Sequence, residues 1–273
     1  MKIGWFSTGR DEAARHLLQV VQRSIERDEI NGEIIFAFSN RELGESRESD
    51  LFFDLVCNYH IPLIQFSSGK FKAARDIEAE TKDKALAQYR IEYDREIMSR
   101  LQGFTPDLCV LAGYMLIVGN EMCSQYNMIN LHPAAPGGPT GSWQDVIWTL
   151  IEARAGESGV MMHLVTTELD RGPVITYCTF SIVGEPLDKY WQEVKNSSAV
   201  EIRNTQGENN ALFQLIRKQE LAREFPLIVA TLAALSSGKI NIEHGIPIDN
   251  RGEPISGYNL TNEVNKILEM KWI

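Results

Sequence analysis

The sequence predicts an α/β fold, a mostly parallel sheet with helices on both faces. Three observations carry this expectation. Short apolar runs alternate with longer segments of helical periodicity through the first half of the chain. Those runs are apolar on both faces of a strand, the pattern of strands buried on both sides. The chain has 273 residues, 44% of them hydrophobic and 23% charged, which suffices to bury a full core.

The elements follow in order. Lys2–Ser7 reads as a first strand, because its apolar stretch is too short for the core of a signal peptide. Glu12–Arg27 has helical periodicity, Glu33–Phe38 reads as a strand, Asp50–Tyr59 as a helix and Pro62–Phe66 as a strand. Lys82–Leu101 carries a long amphipathic helix, and Leu108–Ala112 and Asn127–Leu131 are mostly apolar strands. In the second half Ser142–Arg154 reads as a helix. Gly159–Val165 and Pro173–Ser181 read as strands joined by the turn around Asp170, an antiparallel extension of the sheet. Asn209–Leu235 is a long helix with Pro226 inside the pattern. A kink or break is expected there, since proline lacks the N–H and clashes with the preceding turn. Ile240–Ile273 is a mixed tail with a strand-like piece at Ile240-Asn241-Ile242. The expected organisation is one catalytic domain, residues 1–236, with an insertion at about 185–206, and a tail, 237–273, packed on it.

Charge and cysteine usage exclude several classes. The net charge of -10 disfavours nucleic acid as a partner, because neutralising phosphates needs a basic surface. No apolar run reaches the length of a bilayer span, so no membrane partner is expected. Cys57, Cys109, Cys123 and Cys178 show no CxxC spacing, and Cys109 and Cys178 sit in apolar runs as core thiols. This usage fits a cytoplasmic protein and argues against disulfides or structural zinc. No Cys/His cluster suggests a metal site.

The chemistry concentrates at Asn130-Leu131-His132-Pro133, at the end of an apolar run, and at Glu168-Leu169-Asp170-Arg171-Gly172-Pro173. Asp170 lies 38 residues after His132. An amide, an imidazole and a carboxylate each stand where a strand stops and a loop begins, the edge of an α/β sheet at which ligands bind. Together they suit acyl transfer without a metal: Asn130 donates to a developing oxyanion, His132 supplies a proton or a second donor, and Asp170 orients the imidazole or accepts a proton through water. Taken singly, each motif also serves to close a turn.

The order and flanks of these blocks carry a resemblance. Met128-Ile129-Asn130-Leu131-His132-Pro133, then Ser158-Gly159-Val160-Met161-Met162-His163-Leu164-Val165, then the Asp170 turn, resemble the folate-dependent formyltransferase family. Within it they are most similar to the branch that acts on glycinamide ribonucleotide. Asp94-Arg95-Glu96, the run Pro106–Met115, Ser237-Gly238-Lys239-Ile240 and Gly257-Tyr258 fall in the family's order too. The resemblance covers residues 1–183 and 208–260. It implies a Rossmann-like formyltransferase fold and catalytic roles for Asn130, His132 and Asp170. It implies 10-formyltetrahydrofolate as co-substrate and a small-molecule primary amine as acceptor, with no metal. The pterin is expected against Met115, Leu116, Ile117 and Val118 and against Val165, Thr166, Thr167 and Glu168. Arg90 matches an arginine that contacts the folate tail, or is a solvated helix-surface residue. Gly9, Arg10 and Glu220 are the expected acceptor-binding residues. Glu220 lies one position off the family's glutamate when Pro226 is aligned, and a helix-surface glutamate is its simpler account. His163 matches a strand histidine of the family and either lines the pocket or is packed in the strand.

The departures bear on the acceptor. The glycinamide enzymes carry a Gly-Asn-Gly-Ser-Asn loop after the first strand, whereas this chain reads Ser7-Thr8-Gly9-Arg10-Asp11. Asp11 and Glu12 place negative charge where an anion would meet the helix terminus. Arg10 offsets it by binding a phosphate directly, or Asp11 merely caps the helix. After His132 the chain reads Ala134-Ala135-Pro136-Gly137-Gly138-Pro139, either a loop shaping the acceptor pocket or a surface crossover. Leu116 replaces an arginine of the family. Residues 185–206 are a lid, a dimer contact or a loosely ordered excursion. The expected reaction is formyl transfer to glycinamide ribonucleotide in purine biosynthesis, by a monomer or homodimer. Amino-sugar N-formylation and non-catalytic binding of a folate or metabolite are the alternatives. A formyltetrahydrofolate hydrolase is less expected, because the family's hydrolases carry an N-terminal regulatory domain and here the catalytic fold begins at Met1.

Overall fold

The computed structural model of the protein describes residues 1–74, 82–195 and 197–270. Asn196 of the expected insertion and residues 271–273 of the expected tail lie outside the described residues. The chain divides into two compact units. The first comprises Met1–Asn130 and Leu164–Gly172; the second runs from Leu131 to His163 and onward from Pro173.

In the first unit, β1 (Lys2–Phe6), β2 (Glu33–Ser39), β3 (Leu63–Gln65), β4 (Leu108–Leu111) and the start of β5 (Met128–His132) form a parallel array in the order β5-β4-β1-β2-β3. Between the strands lie α1 (Glu12–Glu26), α2 (Arg47–Asn58), α3 (Ser68–Ala73), α4 (Lys82–Arg100) and α5 (Asn120–Gln125). Phe6, Phe36, Phe38, Cys109 and Leu111 pack against Tyr89, Tyr93 and Ile97 of α4 and against Leu101, which follows it. Ile3 and Trp5, which alternate with Phe6 along β1, are also fully buried, so both faces of the strand are covered. This is the arrangement expected from strands that are apolar on both faces. In α1, Asp11 accepts a hydrogen bond from the Ala14 amide (3.0 Å), and Ala14, Leu17, Leu18 and Val21 form the buried stripe.

The short helices α3 and α5 were not expected. At six residues each they are too brief for a periodic signal; Ser67 Oγ caps α3 by accepting from the Lys70 amide, whereas α5 starts after Gly119 with no side-chain cap. Helix α2 begins at Arg47, three residues before the expected Asp50, because Ser46 is the last extended residue.

In the second unit, β6 (Glu157–Leu164) and β7 (Val174–Ser181) are antiparallel, as expected, and a short β10 (Tyr258–Asn259) lies parallel to β7. Helices α6 (Trp143–Glu152), α7 (Asp188–Glu193), α8 (Ala199–Thr205) and α9 (Ala211–Ser236) carry its core. The tail adds a hairpin, β8 (Ile240–Glu243) with β9 (Ile246–Asp249), and α10 (Thr261–Met270), which packs on α9 and β7. The tail therefore holds more regular structure than the single expected strand.

Two of the expected alternatives are corrected, the break at Pro226 and the loose order of the insertion. Helix α9 does not break at Pro226 but continues to Ser236. Pro226 and its neighbours Leu227, Ile228, Thr231 and Leu232 are buried, and their packing offsets the one missing helical hydrogen bond. The described residues of 185–206 are not a loosely ordered excursion. They form α7 and α8, and Leu187, Val194 and Ile202 enter the core beside Trp148 and Phe213, whose ring centroids are 4.8 Å apart. Truncating Ile202 to Ala should lower stability by about 2–5 kcal/mol, the range for a buried aliphatic side chain, read as a shift in the urea midpoint. A midpoint equal to wild type would show that this segment contributes no core.

Candidate active site

Ser7, Thr8 and Gly9, which follow β1, are buried, as Asn40 is after β2. Thr8 Oγ1 donates to Asn40 Oδ1 (2.7 Å) and accepts from the Met115 amide (3.0 Å), while Gly113 O accepts from the Thr8 amide (3.1 Å). The loop after β4 is thereby tied to the loops after β1 and β2. Gly9 has φ +63°, and a Cβ there would lie 2.9 Å from the Phe52 side chain, so both backbone conformation and the approach of α2 demand glycine. Arg10 is half-exposed, its Nε 3.5 Å from Asp11 Oδ2. Asp11 does cap α1, as one of its two readings held.

The loop 113–119 is fastened at its far end by a buried carboxylate. Asp94 on α4 accepts the Gly119 amide at 2.6 Å, and Arg95 pairs with Glu121 at the start of α5. Between the two fastenings, among the described residues, the amide N–H groups of Leu116, Ile117 and Val118 have no hydrogen-bond partner. Met115 and Ile117 are exposed, Leu116 is half-buried and Val118 is buried. Burial pushes the Asp94 carboxyl up to about 6, with the Gly119 amide opposing, the Glu121 charge adding to the rise and Arg90 lowering it. Arg90 is exposed on α4.

At the end of β5, Asn130 Nδ2 donates to Asp170 Oδ1 (3.4 Å), so these two of the expected residues come together. Asp170 sits at φ +54°, inside a turn in which the Arg171 amide donates to Glu168 O (3.3 Å). Gly172 closes that turn against Leu164, whose carbonyl oxygen would lie 1.8 Å from any Cβ at this position, so only glycine fits. The Val165 amide donates to Met128 O (2.8 Å), Thr166 Oγ1 bonds within the turn, and Thr167 and Glu168 are exposed.

His132 and Glu220 belong to the second unit. His132 is 2% exposed, its Nε2 stands 2.9 Å from Pro139 O, and its ring meets His163 edge to face at 6.1 Å. The loop after His132 thus turns back onto the imidazole, and the Pro139 carbonyl selects the tautomer with a proton on Nε2. His163 is packed in β6. Glu220 is not on the helix surface, since it is fully buried. Ser158 Oγ donates to its Oε1 (3.2 Å), and its Oε2 has no partner among the described residues. Burial raises its carboxyl well above the ordinary glutamate range, against the lowering effect of Arg217. Sequence reasoning missed Thr8, Asn40 and Asp94 as site-forming residues. Asp94 stood in a quoted motif, but its burial depends on α5 and has no local signal.

The raised Asp94 carboxyl gives a signed expectation. Between about pH 4 and 6 the folded protein retains a proton that the unfolded chain has released, so stability falls as pH rises through that window. Asp94→Asn removes the buried charge and keeps an acceptor for Gly119. It should raise stability at pH 8 by about 1–3 kcal/mol and converge on wild type below pH 4. Urea titrations at both pH values decide this, and a variant less stable at pH 8 would contradict it.

A sequence model of the formyl transferase family matches residues 13–194. Phosphoribosylglycinamide formyltransferase of Escherichia coli is 37% identical over 92 residues, which are 32% of this chain and 41% of that protein. The Saccharomyces cerevisiae phosphoribosylglycinamide formyltransferase is 29% identical over 130 residues, 44% of this chain and 61% of that protein. A formyltetrahydrofolate deformylase of Haemophilus influenzae is 30% identical over 92 residues, 32% of this chain and 31% of that protein. The matched stretches thus span from about a third to three fifths of these relatives. Among solved structures, the Coxiella burnetii phosphoribosylglycinamide formyltransferase superposes with a TM-score of 0.65 at 20% identity, over 95% of this chain and 98% of that chain. Glycinamide ribonucleotide transformylase 1 of Symbiobacterium toebii superposes with a TM-score of 0.61 at 17% identity, over 91% and 93%. The fold is shared with these structures, and the family match covers more than half of the sequence: the chain belongs to the formyl transferase family.

Proposed function

We propose that the protein transfers a formyl group from 10-formyltetrahydrofolate to a primary amine, glycinamide ribonucleotide, as a step of purine biosynthesis in the cytoplasm. The observation that carries this reading is the hydrogen bond between Asn130 and Asp170 at the end of β5, with His132 two residues further along the same strand. It is supported by the relatives named for that reaction. The catalytic domain is residues 1–236, and 237–273 form a tail; the packing of α10 on α9 and β7 supports that assignment.

The loop fits a folate. The amides of Leu116, Ile117 and Val118, without a hydrogen-bond partner among the described residues, are donors suited to a heteroaromatic edge, and exposed Met115 and Ile117 offer an apolar face. Val165, Thr166, Thr167 and Glu168 form the opposite lip, and Arg90 receives the carboxylates of the tail. When bound, 10-formyltetrahydrofolate supplies the carbon that is transferred.

The chain's residues do the rest. Asn130, oriented by Asp170, donates its second Nδ2–H to the formyl oxygen as negative charge develops there. Protonated His132, held in one orientation by Pro139 O, is the second donor. Asp170 favours the charged imidazole and receives the amine proton through water; the proton passes on to the folate nitrogen as its bond to the formyl carbon breaks, which releases tetrahydrofolate. Gly9 and Arg10 hold the acceptor's anionic end. Glu220 contacts the acceptor amine, and its buried Oε2 is an acceptor that such an N–H satisfies. No step calls on a metal.

Purified protein given 10-formyltetrahydrofolate and glycinamide ribonucleotide should release tetrahydrofolate. His132→Ala and Asp170→Asn should each lower kcat/KM by roughly two or more orders of magnitude. Full activity in both variants defeats the assignment, and turnover with an amino sugar in place of the ribonucleotide moves the protein to another branch.

A further inference from the structure

From Tyr114 to Val118 the chain after β4 alternates like a strand. Tyr114 and Val118 are buried in the core of the first unit and Leu116 is half-buried against it, while Met115 and Ile117 are exposed. The buried side chains fix which way the segment faces. They do not fix how far its main chain stands from α4, because apolar packing is non-directional.

Two attachments do that. At the near end Thr8 holds both neighbours of Tyr114: its amide donates to Gly113 O, and its hydroxyl accepts from the Met115 amide. At the far end Asp94 Oδ2 accepts from the Gly119 amide at 2.6 Å. A Cβ on Gly119 would lie 2.7 Å from that oxygen, so any side chain at 119 would push the loop off the carboxylate. Helix α5 follows directly, and its Cys123 amide donates to Gly119 O (3.1 Å). Asp94 therefore places both Val118 and the first turn of α5.

The far attachment is costly. Asp94 is buried, with Arg90 and Tyr93 of α4, Tyr114 of the loop, and Glu121 and Cys123 of α5 around it. The Arg90 charge favours the ionised carboxyl and the Glu121 charge opposes it. An asparagine would accept the same amide without burying a charge. What the carboxylate adds is a shorter and stronger bond to the N–H than a neutral acceptor makes. A buried charge kept against stability beside three N–H groups that lack partners among the described residues marks a functional constraint.

We propose that Asp94 is a positioning residue for the co-substrate: its charged bond to Gly119 sets where the Leu116, Ile117 and Val118 amides meet the ligand, and with it the affinity, while Asp94 itself touches neither the ligand nor the reacting atoms. The proposal rests on the formyl-transfer reading for the identity of that ligand.

Asp94 stays buried with and without ligand, so its desolvation is common to both states. The two states differ in the Gly119 bond, which is firmer in the complex and favours the ionised carboxyl. The contribution of Asp94 to binding is therefore present above about pH 6 and is lost as pH falls through that value.

Calorimetric titration of the full chain with 10-formylfolate, the oxidised analogue of the co-substrate, tests this without turnover. At pH 8 Asp94→Asn should bind it about threefold or more weakly than wild type, although the same variant is expected to be the more stable protein. At pH 5, where wild-type Asp94 is protonated, the two affinities should converge. Asp94→Ala, which leaves the Gly119 amide without its acceptor, should lose about tenfold or more at pH 8. In turnover, KM for 10-formyltetrahydrofolate should rise by the same factors and kcat should stay within about twofold, because Asn130, His132 and Asp170 stand on other segments. Affinity for ribose 5-phosphate, a probe of the acceptor's anionic end, should not change. Wild-type affinity for 10-formylfolate in Asp94→Asn at pH 8 overturns the proposal, as does a parallel loss for ribose 5-phosphate, even where Asp94→Ala fails to fold. A wild-type chain that binds no 10-formylfolate ends the formyl-transfer reading and the proposal together, whereas wild-type binding that Asp94→Asn leaves intact ends the proposal alone.

Discussion

The Thr8 hydroxyl accepts a hydrogen bond from the Met115 amide and donates one to Asn40 Oδ1. Three loops, following β1, β2 and β4, therefore share one buried polar atom. A hydrogen bond of this kind has a net worth of about 1 kcal/mol, but a buried partner left alone costs about 1–3 kcal/mol. The asymmetry makes the arrangement hard to open at one point. It sets where the loop 113–119 leaves the sheet. With Asp94 on the Gly119 amide, it leaves the N–H groups of Leu116, Ile117 and Val118 held in place but, among the described residues, without partners. A loop built this way presents donors that need no rearrangement to meet a ligand.

Two carboxylates are handled by the same physics in different settings. Asp94 and Glu220 are both taken out of water, and both hold their protons more tightly as a result. Asp94 has a backbone amide to favour its charged form, so its carboxyl stays within the range where pH changes its state. Glu220 has a serine hydroxyl and the Arg217 charge, and among the described residues one of its oxygens has no partner. The first carboxylate positions a loop, and the second keeps acceptor capacity inside the second unit.

The second unit shows how aromatic packing absorbs irregular sequence. Trp143 and Trp148 meet Phe213, and Arg217 lies 4.5 Å above the Trp143 ring while pairing with Glu224. Around this cluster α7 and α8 find their apolar anchors, and α9 stays helical through Pro226. Burial of so many large side chains outweighs a single lost backbone bond.

The alternation of strand and helix was legible in the chain itself, because burial of a strand on two faces or of a helix on one writes a short-range period into the residues. The placement of Asn130, His132 and Asp170 at strand ends and turns was legible too, since a proline or glycine beside each marks the end of a strand. Gly9 and Gly172 could be noticed, but the reasons for them, Phe52 and the Leu164 carbonyl, come from other segments. Tertiary structure alone decided the fate of Glu220 and Asp94, the ordering of the described residues of 185–206, and the hydrogen-bonded chain after β1. Thr8, Asn40 and Ser68 stand far apart in sequence, and the parallel order of β1, β2 and β3 puts them in one chain of hydrogen bonds. Desolvation depends on what is packed against a group from elsewhere in the fold. No local pattern encodes it, and it is the property on which the chemistry of these side chains turns.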